Sequence, residues 1–200
     1  VVRQGIANLL RSMLPAVAIT EVDNGQDAVA RYGELRPDVV LLDMGLPDIS
    51  GLEVGRRLRQ RWRGAAILFF TMHDELPMVR QALDVGGLGF VSKSCAPEEL
   101  AEAVKRVAAG QPYIEHPIAT RLAMNQERPV DHRLRDMTQR EMEVLLMYAR
   151  GESVGGIAER LCVSSKTVSN HLAGLKNKLQ VSSSVELIHL AVDAGLIRYG

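Results

Sequence analysis

Cysteine, aromatic side chains and long apolar runs are all scarce in this sequence of 200 residues. The two cysteines, Cys95 and Cys162, form no C-x-x-C pair and are too few for a disulfide framework, which excludes a small disulfide-rich domain. No stretch approaches the ~20 apolar residues of a membrane span, and no secretory signal opens the chain. We therefore expect a cytoplasmic protein with free thiols and no membrane partner.

The chain also lacks a net charge, because its 24 basic and 24 acidic residues balance. Residues 1–110 carry 13 Lys and Arg against 14 Asp and Glu, and residues 137–200 carry 7 against 6. No segment is basic as a whole, so any interaction with nucleic acid has to depend on a local surface. The apolar fraction of 46% is ordinary for a globular protein with a sizeable core.

The first half of the chain alternates between two patterns. Short apolar runs typical of strands lie at 17–22, 38–42, 65–70 and 88–92. Stretches with helical spacing lie at 24–35, 51–62, 75–86 and 97–110. This alternation predicts an α/β domain over residues 1–110, with a doubly wound parallel sheet.

The pattern changes after residue 110. Residues 111–136 hold three prolines and scattered charges, which predicts a linker. Residues 137–200 contain four segments with helical spacing and no strand pattern. Capping residues mark where these helices begin: Thr138 with Glu141, Ser153, Ser164 or Ser165, and Ser183 with Glu186. The sequence therefore predicts a second, all-α domain of four helices.

Three polar residues follow successive apolar runs of the first domain. Asp43 follows the run at 38–42, Thr71 the run at 65–70 and Lys93 the run at 88–92. The carboxyl ends of parallel strands meet at one edge of a sheet, so we expect these residues to lie together. A carboxylate there can bind Mg²⁺ or attack phosphorus, while a hydroxyl and an ammonium hold phosphoryl oxygens. Taken alone, Asp43 is equally well explained as a turn or cap residue.

The motif LLDMGLPDISG, Thr71, Lys93 and Phe90, three residues before Lys93, resemble the receiver domain of bacterial two-component response regulators. The resemblance covers residues 1 to about 110 and implies a flavodoxin-like fold. It implies that Asp43 accepts phosphate from a sensor histidine kinase, with Mg²⁺ held by Asp43 and the carbonyl of Gly45. It also implies that Lys93 and Thr71 hold the phosphoryl group and that Phe90 changes rotamer as Thr71 moves.

The first strand of that family, with its two adjacent acids, has no counterpart here, because the first helical pattern begins at residue 1. Three explanations stay open. Further residues, ~10–20 for one strand and its loop, precede Val1; a neighbouring chain supplies the strand; or the receiver is degenerate and is not phosphorylated. We favour the first. The third makes the protein a phosphorylation-independent DNA-binding regulator.

The second domain carries a helix-turn-helix pattern, in which a short helix, a tight turn and a longer helix follow one another. The segment ERLCVSSKTVSNHLAGLKNKLQV strongly resembles the LuxR-type helix-turn-helix, and the resemblance covers 137–197. Together, the two resemblances are those of NarL/FixJ-type response regulators. They imply a transcription factor that binds promoter DNA and is not an enzyme. A protein-docking or phosphotransfer module is the alternative.

The resemblance implies that residues 165–179 lie in the major groove. The side that faces the domain core is Val168, Leu172, Leu175 and Leu179. The base edges are contacted by Ser169, Asn170 and Ala173. The phosphates and the groove rim are contacted by Lys166, Thr167, His171, Lys176 and Lys178. The fourth helix is where two chains pair on DNA, through Leu187, Leu190, Ala191 and Ala194.

Two further features stand apart from these motifs. Cys162 occupies a turn position where Gly is frequent, and a positive φ there would strain it. Residues 56–63, RRLRQRWR, hold five arginines around Trp62. They form either a docking patch or an ordinary solvated helix face, of which the second is the commoner.

Overall fold

The computed structural model describes residues 2–72, 74–124, 132–134 and 137–197. The chain divides into two compact units, one built mainly from residues before 124 and one mainly from residues after it. Buried apolar side chains line the interior of both.

In the described part of the chain, the first unit is a parallel sheet of four strands accompanied by helices. Its strands lie in the order β1-β2-β3-β4 and are β1 (Val40–Leu42), β2 (Ile67–Thr71), β3 (Gly89–Ser92) and β4 (Tyr113–Ile114). Its helices are α1 (Val2–Met13), α2 (Gly25–Leu35), α3 (Gly51–Arg61), α4 (Leu76–Asp84), α5 (Pro97–Ala108) and α6 (His116–Met124). The predicted parallel α/β fold is therefore confirmed.

The strand β2 is the centre of this unit, and all five of its residues are buried. Leu68 and Phe70 belong to an apolar cluster that includes residues of α1 and α5. Phe69 points to the other face, where its ring lies 3.0 Å from the place that a Cβ on Gly55 of α3 would take. Because side chains alternate along a strand, β2 packs against helices on both faces of the sheet.

One predicted strand does not form. Residues 17–22 are irregular, and a turn closed by the bond from the Val17 N–H to the Leu14 carbonyl precedes them. Ile19 still packs against the apolar cluster. A strand needs a neighbour to complete its ladder, and within the described residues β1 pairs with β2 alone.

The segment predicted as a linker, 111–136, contains two elements of the first unit. The strand β4 extends the sheet beside β3, and Ile118 of α6 is buried. The Arg121 guanidinium donates to the carbonyl and to Oδ2 of Asp74, at 2.8 Å for the carboxylate. The first unit thus continues beyond the predicted boundary at 110. Most of the remaining linker prediction, 125–136, lies outside the described residues.

The second unit is helical, as predicted. Its α-helices in the described residues are α7 (Gln139–Ala149), α8 (Val154–Arg160), α9 (Ser165–Lys178) and α10 (Ser184–Asp193). The capping side chains are Thr138, Ser153, Ser164 and Ser183, each accepting a backbone N–H of the first helical turn.

Two local details refine the sequence predictions for the second unit. Cys162, in the turn between α8 and α9, has φ +53, so a non-glycine residue does carry the strained conformation. At α10 the predicted capping box is shifted by one residue. Ser183 accepts the Glu186 N–H, but the Glu186 carboxylate accepts from the backbone N–H and hydroxyl of Ser182.

Gly51→Ala is expected to destabilise the first unit by about 2 kcal/mol or more. An added Cβ would lie 2.2 Å from the Asp43 carbonyl oxygen and 2.8 Å from Met44 Cα, and both are backbone atoms. Urea unfolding followed by the fluorescence of Trp62, the single tryptophan, measures the change. Gly5→Ala in α1 is the control, because nothing lies within 4 Å of its Cβ position. Equal stability of Gly51→Ala and wild type would contradict this expectation.

Candidate phosphoacceptor site and DNA-binding surface

Asp43, Thr71 and Lys93 lie together at the carboxyl edge of the sheet. Asp43 follows β1, Thr71 ends β2 and Lys93 follows β3. The Lys93 ammonium donates to Oδ2 of Asp43, and the Lys93 backbone N–H donates to the Thr71 carbonyl at 2.7 Å. Thr71 is fully buried, whereas the side chains of Asp43 and Lys93 are 33% and 19% exposed. The acid and the ammonium are therefore paired and still reachable from solvent.

Hydrogen bonds to Asp43 and to Asp48 hold the loop that follows β1. The Gly45 N–H donates to Oδ1 of Asp43 at 3.1 Å. The Asp48 carboxylate accepts the N–H groups of Gly25 and Gln26, at 2.8 Å each, and so binds the first turn of α2. Desolvation raises the pKa of Asp48, but these backbone donors outweigh it and hold the pKa below its ordinary value. Sequence reasoning missed Asp48, because its partners lie more than twenty residues away.

Phe90 lies inside the sheet rather than beside the acid. It is fully buried on β3, directly opposite Phe69 of β2. Its ring is thus part of the buried interior of the first unit, whose strands β2 and β3 lead to Thr71 and Lys93. The switch role that the resemblance implies for Phe90 would require this ring to leave its buried position.

The described residues do not assemble the acid set that the receiver family uses for Mg²⁺. No group of three or more His, Cys, Asp or Glu side chains is placed to hold a metal ion in the part of the chain that the structure describes. Asp43 is engaged by Lys93 and by the Gly45 N–H. Asp43 and the Gly45 carbonyl are the groups here that would contribute to a Mg²⁺ site, and water and phosphate oxygens would supply its other ligands.

The helix α9 has one buried side and one polar side. The buried side consists of the four residues predicted for it, Val168, Leu172, Leu175 and Leu179. The residues predicted to contact DNA are all exposed or half-buried: Lys166, Thr167, Ser169, Asn170, His171, Ala173, Lys176 and Lys178. The polar side therefore has the exposure that a groove-reading surface needs.

Two of these residues are already engaged inside the unit. The Thr167 N–H donates to Oγ of Ser164, and the two hydroxyls are 2.8 Å apart, so Thr167 belongs to the helix cap. The Lys178 ammonium lies 2.6 Å from Oε2 of Glu141 on α7. This ion pair joins the last turn of α9 to the first turn of α7.

Glu141 combines two roles. Its carboxylate accepts the Thr138 N–H at 2.7 Å in the capping box and also pairs with Lys178. Desolvation raises the pKa of Glu141, but the hydrogen bonds from Lys178 and Thr138 outweigh it and lower the pKa below 4.5. The ionised form of Glu141 therefore stabilises the folded second unit.

The predicted dimerisation face of α10 needs correction. Leu187, Leu190 and Ala191 are buried within the second unit, because the apolar stripe of an amphipathic helix packs on its own core. Ala194 caps the helix and is half-buried. The outward side carries Val185 and His189, both exposed, and 60% of Val185 is accessible.

The family comparisons agree with both units. Residues 1–105 match the family described as "Response regulator receiver domain", and residues 135–191 match "Bacterial regulatory proteins, luxR family". The chain belongs to the response regulators. Response regulators that join these two units are DNA-binding transcription regulators of two-component systems rather than enzymes, and receiver domains generally use Mg²⁺ for phosphorylation.

Individual relatives cover nearly the whole chain. Transcriptional activator protein ExaE of Pseudomonas putida is 50% identical over 98% of this chain and 94% of its own length. Response regulator UvrY of Escherichia coli K12 is 34% identical over 98% of this chain and 90% of its own length. RcsB of Salmonella enterica serovar Typhimurium was solved bound to promoter rprA in the presence of phosphomimetic BeF₃⁻. The match covers 96% of this chain and 93% of the RcsB chain, with a TM-score of 0.57 and 22% identity, and so the two share the fold. Among the described residues, this response regulator has no helix long and apolar enough to cross a membrane.

Glu141→Gln is expected to lower the stability of the second unit at neutral pH by about 1 kcal/mol. Because the pKa of Glu141 is lower in the folded state, its contribution is complete above the unfolded value near 4.5 and is lost as the pH falls through the folded value. The difference from wild type should therefore shrink in acid. Hydrogen exchange of the α9 amides in the full chain, at pH values on both sides of 4.5, measures it.

The control is Glu159→Gln on α8, an exposed acid of the same unit. It is expected to leave α9 exchange unchanged at every pH. A wild-type advantage over Glu141→Gln that stays constant with pH would contradict the role assigned to the carboxylate charge.

Proposed function

We propose that a sensor histidine kinase phosphorylates this response regulator at Asp43, and that the protein then binds promoter DNA through α9 as a homodimer in the cytoplasm. The observation that carries the first half is the pairing of Asp43 with Lys93 beside Thr71. The polar side of α9 carries the second half. The name of the relative ExaE, a transcriptional activator, supports activation rather than repression.

In the transfer step, a carboxylate oxygen of Asp43 attacks the phosphorus of a phosphohistidine. The new O–P bond forms as the P–N bond breaks, and the electron pair of that bond returns to the histidine nitrogen. Lys93 neutralises the phosphoryl oxygens, which its contact with Oδ2 of Asp43 supports. The Thr71 hydroxyl is the second donor, and its approach to the phosphoryl group lets Phe90 change rotamer.

The proposal also includes Mg²⁺, which would bind beside Asp43 during phosphorylation. Asp43 and the Gly45 carbonyl are the ligands that the described residues would contribute, and water and the phosphoryl group would complete the ligand shell. The alternative function is a DNA-binding regulator that works without phosphorylation. The two functions share α9 and differ in whether Asp43 takes up phosphate.

On DNA, Ser169, Asn170 and Ala173 lie where they can face base edges. The Asn170 amide can pair bidentately with adenine, which makes it the best reader of sequence. Lys166 and Lys176 have no carboxylate partner among the described residues, so both are available to phosphates. Lys178 would have to give up Glu141 to do the same. Pairing of two chains would use Val185 and His189 on the outward side of α10.

Asp43→Asn is expected to abolish phosphoryl labelling by a phosphorylated histidine kinase, because an amide is too weak a nucleophile. Radiolabel transfer from the kinase with Mg²⁺ present measures it. Asp38→Asn is the control, an exposed acid before β1, and should be labelled like wild type. Full labelling of Asp43→Asn would remove Asp43 from the mechanism. Absence of labelling in wild type, with DNA binding intact, would select the phosphorylation-independent function.

Asn170→Ala and Lys166→Ala are expected to weaken DNA binding in different ways. Loss of a base contact should relax discrimination at one position by ~1–3 kcal/mol, whereas loss of a phosphate contact should weaken all sequences alike and reduce the salt slope by about 1. Competition of single-base variants for a labelled promoter fragment separates the two. Identical behaviour of both variants on every sequence would contradict the assignment of Asn170 as the reader.

A further inference from the structure

An arginine pair stacks on the single tryptophan of the chain, at the end of α3. The rings of Tyr32 and Trp62 have centroids 4.7 Å apart. The Arg61 guanidinium lies 5.0 Å and the Arg36 guanidinium 5.4 Å from the centre of the Trp62 ring. Contacts of this length are attractive and hold the planar groups against the ring. We call Tyr32, Arg36, Arg61 and Trp62 the Trp62 patch.

The two arginines of the Trp62 patch differ from Arg56 and Arg57 in that neither forms an ion pair with a carboxylate of the described residues. Arg56 and Arg57, on the same helix as Arg61, both bind the Glu53 carboxylate, at 2.6 and 2.7 Å. No carboxylate is within ion-pair distance of Arg36 or Arg61 in the described residues, and both side chains are exposed. Arg56 and Arg57 therefore share one carboxylate, whereas Arg61 at the end of α3 has no carboxylate partner among the described residues.

Arg36 also holds a backbone conformation that arginine rarely adopts. It ends α2 with φ +42, in the left-handed region where glycine or asparagine usually stands. Strain of this kind persists where the local structure serves a purpose, and it clusters at binding sites. The Arg36 guanidinium lies over Trp62, and its Nε–H donates to the Gly33 carbonyl at 3.2 Å.

We propose that the Trp62 patch binds backbone phosphates of the double-stranded DNA to which the second unit binds. A guanidinium fixed on an aromatic ring presents a planar fork of N–H donors, which matches two phosphate oxygens. DNA is favoured over an acidic protein because response regulators of this type bind it through the second unit. The first unit is then tethered near the duplex, where even a weak contact adds to affinity.

Arg36→Gly with Arg61→Gln, in the full chain, tests the proposal. Glycine suits φ +42, so this variant removes two charges and relieves backbone strain at the same time. Fluorescence anisotropy with a labelled mixed-sequence duplex, over a series of KCl concentrations, gives the salt slope. Each lost phosphate contact reduces the slope by about 1, so we expect a reduction of about 2 and binding about tenfold weaker at moderate salt.

The matched control is Arg56→Gln with Arg57→Gln, which removes the same charge from the same helix. Its slope should change by less, because both arginines are already bound to the Glu53 carboxylate. Arg61→Gln alone should reduce the slope by about 1. Equal salt slopes for the two double variants would overturn the proposal, because the overall charge of the protein would then explain the salt dependence. A patch variant that binds DNA like wild type, with the same salt slope, would overturn it too.

Discussion

The ion pair between Asp43 and Lys93 depends on the order and direction of three strands. An acid after β1 and an amine after β3 can meet only if both strands run parallel to β2 and end at the same edge. The strand β2 pairs with both of them, and its full burial places it at the centre of the unit. The Asp43 carboxylate near the surface is thus positioned by an interior strand that carries no charge.

The second unit uses charge in a different way. Glu141 caps α7 and binds Lys178 of α9, so one carboxylate serves both a helix end and a contact between helices. This ion pair joins α9 to α7 without using Lys166 or Lys176. It also separates two kinds of lysine on one helix. Lys178 forms an ion pair within the unit, whereas Lys166 and Lys176 have no carboxylate partner among the described residues.

The sequence predicted the features that depend on local chemistry. The caps at Thr138, Ser153 and Ser164 and the alternation of strand and helix follow from side-chain type and spacing. Features that depend on a distant partner were not predictable in this way. The apolar run at 17–22 has the composition of a strand but pairs with no strand in the part of the chain that the structure describes, and Asp48 binds α2 more than twenty residues away in sequence. The stripe of α10 was recognised, but its sequence alone did not tell an internal face from an external one.

The contact between Arg121 and Asp74 links two segments that are remote in sequence. Asp74 stands three residues beyond Thr71, and Arg121 belongs to α6, the last helix of the first unit. A displacement of the chain just beyond β2 would therefore reach α6 directly, through the Arg121 guanidinium.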